Sequence, residues 1–342
     1  MKYPLLIVFC IISLNLSAQQ QISSQDSIKT FYDELFSALK RGYLHRKTVD
    51  WKVVEPGTRQ NLMHYSTFKN SLNEIRVLFD KIGANHSLVY DKKDKYAAKG
   101  NIIPKENYGE QWKKKYDTKP GFEVKVLDEK YGYILIPGMV FFDVSKENIH
   151  KLAQPLYDQI ARIKSQYKPK GWIIDLRFNT GGNSTPMLLS LYDFLGDNDV
   201  WTSLNVNKKR VSTVKMKAGS YFDGTGIVSY INPNGISLEQ TKVAVIIGAT
   251  TASSGEVTAL SFKGRANTIF IGEPTPGFTT GNIFWPLPFD IKMALTTSYD
   301  ADRKGIYHER IIPDIRISDR DNFDDLLSDK NIQEAIKFIN DK

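Results

Sequence analysis

The stretch Val243-Ala244-Val245-Ile246-Ile247-Gly248-Ala249-Thr250-Thr251-Ala252-Ser253-Ser254-Gly255-Glu256 decides how this chain is read. Five apolar, mostly β-branched residues predict a buried strand. Small residues follow at once, and then a helical pattern begins. Ser253 therefore stands on a strand-to-helix turn, where its hydroxyl is clear of the sheet and the first helical N–H groups point into the same space. A nucleophile and the anion it generates can both be served at such a place. Ser253-x-x-Glu256 is also the pattern of a capping box, which any helix can use.

Working outward, helical and strand periods alternate. Val124 and Val126, then Tyr133-Ile134-Leu135-Ile136, predict two strands around a turn at Asp128-Glu129-Lys130. Ile149, Leu152, Leu156, Ile160 and Ile163 predict a long helix, with Pro155 a possible kink. Trp172-Ile173-Ile174 is a strand, Leu188 to Leu195 a helix, and Ile269-Phe270-Ile271 another strand. Strands alternating with helices imply an α/β domain with a mostly parallel sheet and crossover connections. Residues 202–240, rich in Gly, Asn and Pro, are expected to be an irregular insertion.

The N-terminal part is different. Ile28, Phe31, Leu35 and Leu39 recur at helical spacing, and Phe68, Leu72, Ile75, Phe79 and Ile82 mark one buried helical face ended by Gly83. This predicts a small N-terminal helical subdomain over 19–90. A polar connector of about 30 residues (91–120) is expected to lead to the α/β domain at 121–318, followed by a C-terminal helix at 319–342.

Residues 1–18 have a short positive start at Lys2, an apolar run from Leu5 to Leu14 and the small-residue site Leu16-Ser17-Ala18. This is the pattern of a secretory signal peptide, too short to span a bilayer comfortably. Export to a periplasm or the cell exterior is expected, with no stable membrane insertion after cleavage. The single cysteine, Cys10, lies within it, so the mature chain is expected to use no disulfide, thiolate or cysteine-bound metal.

Of 342 residues, 41% are hydrophobic and 25% charged, ordinary for a globular protein. The net charge of +8 is diffuse. Its one cluster, Lys113-Lys114-Lys115, is too short to predict nucleic-acid binding. No phosphate loop, His-Glu-x-x-His motif or dinucleotide fingerprint is present, so neither metal nor cofactor is expected.

Three further segments carry chemistry. Asp175-Leu176-Arg177-Phe178-Asn179-Thr180-Gly181-Gly182 follows a buried strand, at the end where open α/β sheets bind ligands. Its glycine pair permits a sharp turn with exposed N–H groups, and Asp175 and Arg177 are placed to brace each other or neighbouring loops. His86 lies in the tight loop Gly83-Ala84-Asn85-His86-Ser87, whereas His64 and His150 fall in helical patterns and His45 in a basic segment. Gly305 to Ile315 places His308 and Glu309 just before Pro313-Asp314.

Together these segments resemble the serine peptidase family of the tail-specific (C-terminal-processing) proteases and the tricorn protease core. That family's Asp-Leu-Arg-x-Asn-x-Gly-Gly block stands here at 175–182, and its Thr-Ala-Ser-x-x-Glu block at 251–256. Its Gly-Glu-x-Thr-x-Gly block stands at Gly272–Gly277, and its Pro-Asp block at 311–314. The resemblance implies a crotonase/ClpP-like ββα-type catalytic domain with Ser253 as nucleophile. It also implies an oxyanion hole from the N–H groups of Ser254 and Gly182 (or Gly181). Where the tail-specific branch carries a lysine base, this chain has Phe278, which accepts no proton. The connector is also too short for that branch's PDZ domain. Both departures point to the tricorn-like branch, which implies His86 as general base and Glu309 as the carboxylate that orients it, with Tyr307 the alternative at that position. The implied activity is hydrolysis of peptides or unfolded protein tails. An inactive peptide- or partner-binding member of the same fold is the alternative, and a crotonase-like acyl-CoA enzyme is a third reading that the secretory signal disfavours. Oligomeric state is not read from the sequence.

Overall fold

The computed structural model describes residues 23–92, 94–99, 105–318 and 320–341. The expected signal peptide lies outside the described residues. Four helices come first: α1 (Ser24–Gly42), α2 (Trp51–Leu62), α3 (Phe68–Ser71) and α4 (Glu74–Ile82). The Ser23 hydroxyl caps α1 by accepting from the Asp26 N–H. The face expected to be one helix over 68–82 is instead broken at Leu72–Asn73 into α3 and α4, and Gly83 ends α4 in the left-handed region.

The chain continues through β1 (Leu88–Asp91), β2 (Asp94–Ala97), α5 (Glu110–Asp117), β3 (Glu123–Leu127), β4 (Tyr131–Leu135), α6 (Lys146–Tyr167) and β5 (Gly171–Asp175). Next come α7 (Ser184–Ser190), α8 (Tyr192–Leu195), β6 (Asp199–Leu204), β7 (Arg210–Lys217), β8 (Ser220–Asp223) and β9 (Gly226–Tyr230). The last elements are β10 (Lys242–Ile247), α9 (Ser254–Phe262), β11 (Thr268–Gly272), β12 (Thr280–Pro286), β13 (Lys292–Ala301), β14 (Ile315–Arg316) and α10 (Lys330–Asn340). Pro155 does not interrupt α6.

These strands form two sheets. The first has the order β14-β11-β10-β5-β4-β3, parallel except for β3. Helices cover both its faces, so its central strands are apolar throughout. Alternate residues serve opposite cores. Trp172, Ile174, Val243, Val245 and Ile247 pack with α6, α7 and α9, whereas Ile173, Ala244 and Ile246 pack with Trp112 of α5 and Ile332, Ala335 and Ile339 of α10.

The second sheet corrects the expectation of a mostly parallel architecture. It runs β2-β1-β13-β6-β7-β8-β9, with β12 also paired to β13, and every pairing is antiparallel. Much of it comes from residues 202–240, the expected insertion. In β7, Val214 and Met216 are buried while Lys215 and Lys217 are exposed, a strand alternation that the surrounding turn residues masked. Four N-terminal helices pack on this sheet, sharing one core with Met293 and Leu295 of β13.

Arg177 locks the C-terminal segment to the end of β5. Its guanidinium bonds Asp175 (2.6 Å), Asp321 (2.5 Å) and Asp329 (2.8 Å), stacks over Phe323, and lies buried. Tyr133 donates to Asp175 (2.9 Å), and Asp329 also caps α10. The lysines of 113–115 are each paired with an acid, Glu110, Asp324 and Glu123 in turn. Removing one partner of a buried charge cluster strands the others. Arg177→Leu is accordingly expected to lower stability by about 3–5 kcal/mol in denaturant unfolding. A loss below 1 kcal/mol, roughly what an exposed ion pair contributes, would contradict this account.

Candidate active site

Parallel strands β5 and β10 end side by side, and the loops that leave them are stitched together. The Thr251 hydroxyl donates to Leu176 O (2.9 Å), Thr250 bonds Arg177 O (2.5 Å), and the Ala252 N–H donates to Asn179 O (2.9 Å). Ser253 follows with φ +54° and ψ −117°, a conformation costly for a residue with a side chain. It is held there because its own N–H donates to Glu256 Oε2 (3.0 Å). Ser253 and Glu256 thus pair as a capping box at the head of α9, and the bond with ordinary hydrogen-bond geometry is the one that the Ser253 N–H donates.

The glycine pair meets Ser253 directly. A Cβ at Gly181 would lie 2.9 Å from Ser253 Cβ and 3.4 Å from its Oγ. One at Gly182 would lie 1.8 Å from Met139 O, and both residues have φ above +100°. The Gly181 N–H is occupied by Asn179 Oδ1 (3.1 Å). Among the described residues no acceptor takes the N–H of Gly182 or of Ser254. The Ser254 hydroxyl, donating to Gly182 O (2.6 Å), ties these two residues together.

His86 reaches the same cavity, of about 620 Å³, from the loop between α4 and β1. Its Nδ1 lies 2.6 Å from Thr280 Oγ1, its ring rests against Phe278 (5.1 Å between centroids), and Asn282 Nδ2 donates to its carbonyl (2.9 Å). Burial pushes the imidazole down to about 4, so it is neutral at pH 7.

Glu309 is the site residue that the structure does not bring in. Its side chain is exposed and does not line the cavity. It contributes its carbonyl, which accepts from the Thr279 hydroxyl (3.1 Å). Tyr307 instead packs on Tyr299. The partner of His86 is a hydroxyl, Thr280, which belongs to no motif; the β-strand register after Phe278 was the one signal that could have found it. Two acids here are buried: Glu256, which the sequence marked only as a helix cap and block residue, and Asp300, which sequence reasoning missed. Burial pushes Glu256 up to about 7, despite bonds from Thr275 Oγ1 (2.5 Å), Gly277 N (3.0 Å) and Ser253 N. Burial, then the nearby Glu256, pushes Asp300 up to about 8.

Comparison with known proteins follows the same lines. Residues 130–317, more than half of the chain, match the profile of Peptidase family S41. The chain belongs to that family. It is 32% identical over 148 residues to the nisin-resistance protein of Lactococcus lactis subsp. lactis, 43% of this chain and 46% of the relative. The chain thus spans about half the length of that relative. A lipoprotein of Streptococcus agalactiae shares the fold at TM-score 0.67 and 24% identity, over 93% of this chain and 96% of the other. The photosystem II D1 C-terminal processing protease does so at TM-score 0.50 and 14% identity, over 86% and 93%. At these identities the two structures speak for the fold, and this S41 chain's own chemistry rests on its site.

The two raised acids bind a proton more tightly folded than unfolded. The stability they confer is full below the ordinary carboxylate range and is lost as pH rises through about 7 for Glu256 and about 8 for Asp300. His86 acts in the opposite sense, but only between about pH 4 and 6.5. Above pH 6.5 the acids dominate these three. Stability is therefore expected to fall from pH 6.5 to about 8.5, and Asp300→Asn to flatten that fall in thermal melts. An unchanged slope in the variant would contradict the assignment.

Proposed function

We propose that this chain is an exported serine peptidase of the histidine-using branch, cleaving peptides or unfolded protein tails. One observation carries the reading. Ser253 is forced into a strained conformation at the head of α9 and lines the same cavity as a glycine loop whose Gly182 N–H has no acceptor among the described residues.

The roles follow from the chemistry. Serine at its free pKa needs an adjacent base. With Nδ1–H donating to Thr280 Oγ1, the imidazole of His86 keeps Nε2 unprotonated to accept the Ser253 proton. The same nitrogen returns the proton to the leaving amine. The tetrahedral oxyanion is received by the Gly182 and Ser254 N–H groups, and one such donor typically contributes about 10²–10³ in rate. Thr280 fixes the tautomer, the task Glu309 was expected to perform. Asp175 and Arg177 support the glycine loop from behind. Export is supported by the N-terminal pattern of residues 1–18 and by the relatives, one a lipoprotein and one a nisin-resistance protein. Among the described residues no helix is long and apolar enough to cross a membrane.

An inactive, peptide-binding member is favoured by one feature: among the described residues no carboxylate bonds the His86 ring, whose one side-chain hydrogen-bond partner there is a hydroxyl. A fluorophosphonate probe separates the readings. Wild-type protein is expected to label, and Ser253→Ala and His86→Ala are not. Ser253→Ala should cost no more than a helix cap, about 0.5–2 kcal/mol, and leave the fold intact. Failure of the folded wild type to label would leave the binding reading.

A further inference from the structure

The roles given to Ser253 and His86 leave one side of the cavity without a task. An imidazole that returns its proton to the leaving amine has the segment after the scissile bond on its own side. That side is built by β1, β2, β12 and β13 of the antiparallel sheet. Alternate residues of a strand face one way. His86, Leu88 and Tyr90 all line the cavity, whereas Ser87 and Val89 between them are fully buried and do not.

Strand register extends this face sideways. Leu88 is paired with Ala97 and with Ala294, and Ala294 in turn with Phe284. All four line the cavity and make an apolar floor. Further from His86, Tyr90 is paired with Lys95 on one side and Lys292 on the other. Lys95 lines the cavity, its Nζ 5.7 Å from the centroid of the Tyr90 ring. Lys292 Nζ lies 4.9 Å from the centroid of Phe142, whose ring packs on both Tyr90 (5.7 Å) and Phe284 (5.6 Å). The two acids of this hairpin, Asp91 and Asp94, are both held by Lys69 at 2.6 Å. Among the described residues no carboxylate pairs with Lys95 or Lys292. An apolar floor therefore runs from the His86 side to a row that carries two uncompensated cations.

We propose that Lys95 and Lys292 are specificity-determining residues that receive the free C-terminal carboxylate of the substrate. The inference deepens the peptidase reading and rests on it for the peptide being a substrate. Charge selects the chain end, because two ammonium groups attract a carboxylate and repel an N-terminal amine. Distance selects the length of the tail. Tyr90 follows His86 by four residues, about 13 Å at the rise of a strand. An extended peptide covers that span with about four residues. The segment released is thus a C-terminal tail of about four residues, its apolar side chains lying on Leu88, Ala97, Ala294 and Phe284.

The test reads binding first and product length second. In the Ser253→Ala background, fluorescence anisotropy is measured for an N-terminally fluorescein-labelled decapeptide of alanine and leucine, as the free acid and as the C-terminal amide. The acid is expected to bind about tenfold more tightly, the scale of one hydrogen bond to a charged group. The difference should shrink at high salt. Lys95→Met together with Lys292→Met, which keeps the aliphatic stems, should bring the preference below about twofold while the melting transition is kept. Equal binding of acid and amide, no binding of either, or a preference that survives the double substitution overturns the proposal. With wild-type protein, mass spectrometry should find the cut about four residues from the C-terminus, moving with that end when the peptide is lengthened. A cut that keeps its distance from the N-terminus instead also overturns it. Failure of the peptidase reading shows separately, as absent fluorophosphonate labelling of wild type.

Discussion

The site depends on one constraint: the loops that leave parallel strands β5 and β10 must share a single space. The Ala252 N–H spends itself on Asn179 O, and Thr251 on Leu176 O. A Cβ at Gly255 would lie 2.5 Å from the same Asn179 carbonyl. This closeness forces glycine at 181 and 255 and holds Ser253 at positive φ, Met139 O forces glycine at 182, and among the described residues the N–H groups of Gly182 and Ser254 are left with no acceptor. A backbone that must satisfy nearly all its buried polar groups leaves such gaps only where other constraints over-determine them. What looks like motif conservatism in residue type is, at each glycine, an exclusion of volume.

Burial organises the electrostatics around this frame. His86 is pushed toward its neutral, basic form, while Glu256 and Asp300 are pushed toward neutral, acidic forms. The same physical cause acts in opposite directions on bases and acids. Glu256 illustrates how few residues carry several duties. It holds the Ser253 N–H, Thr275 and the Gly277 backbone, and so joins the head of α9 to the loop carrying Phe278 against the His86 ring. Displacing that carboxyl group would shift Ser253 and His86 relative to each other.

Much of this was legible in the sequence because it is local. The apolar run 243–247, the small residues after it and the helix beyond Ser253 are neighbours in the chain, and their periods decide the turn. The parallel sheet followed for the same reason. The antiparallel sheet was not legible: its strands β7 to β9 are short, half-exposed and set among turn residues, so composition outweighed alternation. The side chain that faces the His86 ring, Thr280, was not legible because it depends on register across β12 and β13 rather than on spacing. Glu309 lies near the Pro-Asp block in sequence, but its carbonyl, not its carboxylate, is what the fold uses. Thr280 and Asp300 come together through strand pairing that no motif records.

The central claim is that Ser253 is a nucleophile facing an oxyanion hole made by Gly182 and Ser254. A crystal structure of the protein with a peptidyl boronate tests this most directly. The account predicts boron bonded to Ser253 Oγ, with one boronate oxygen within about 3 Å of both N–H groups. An adduct whose oxygens face elsewhere, or a boronate that binds the cavity without bonding Ser253, would contradict it.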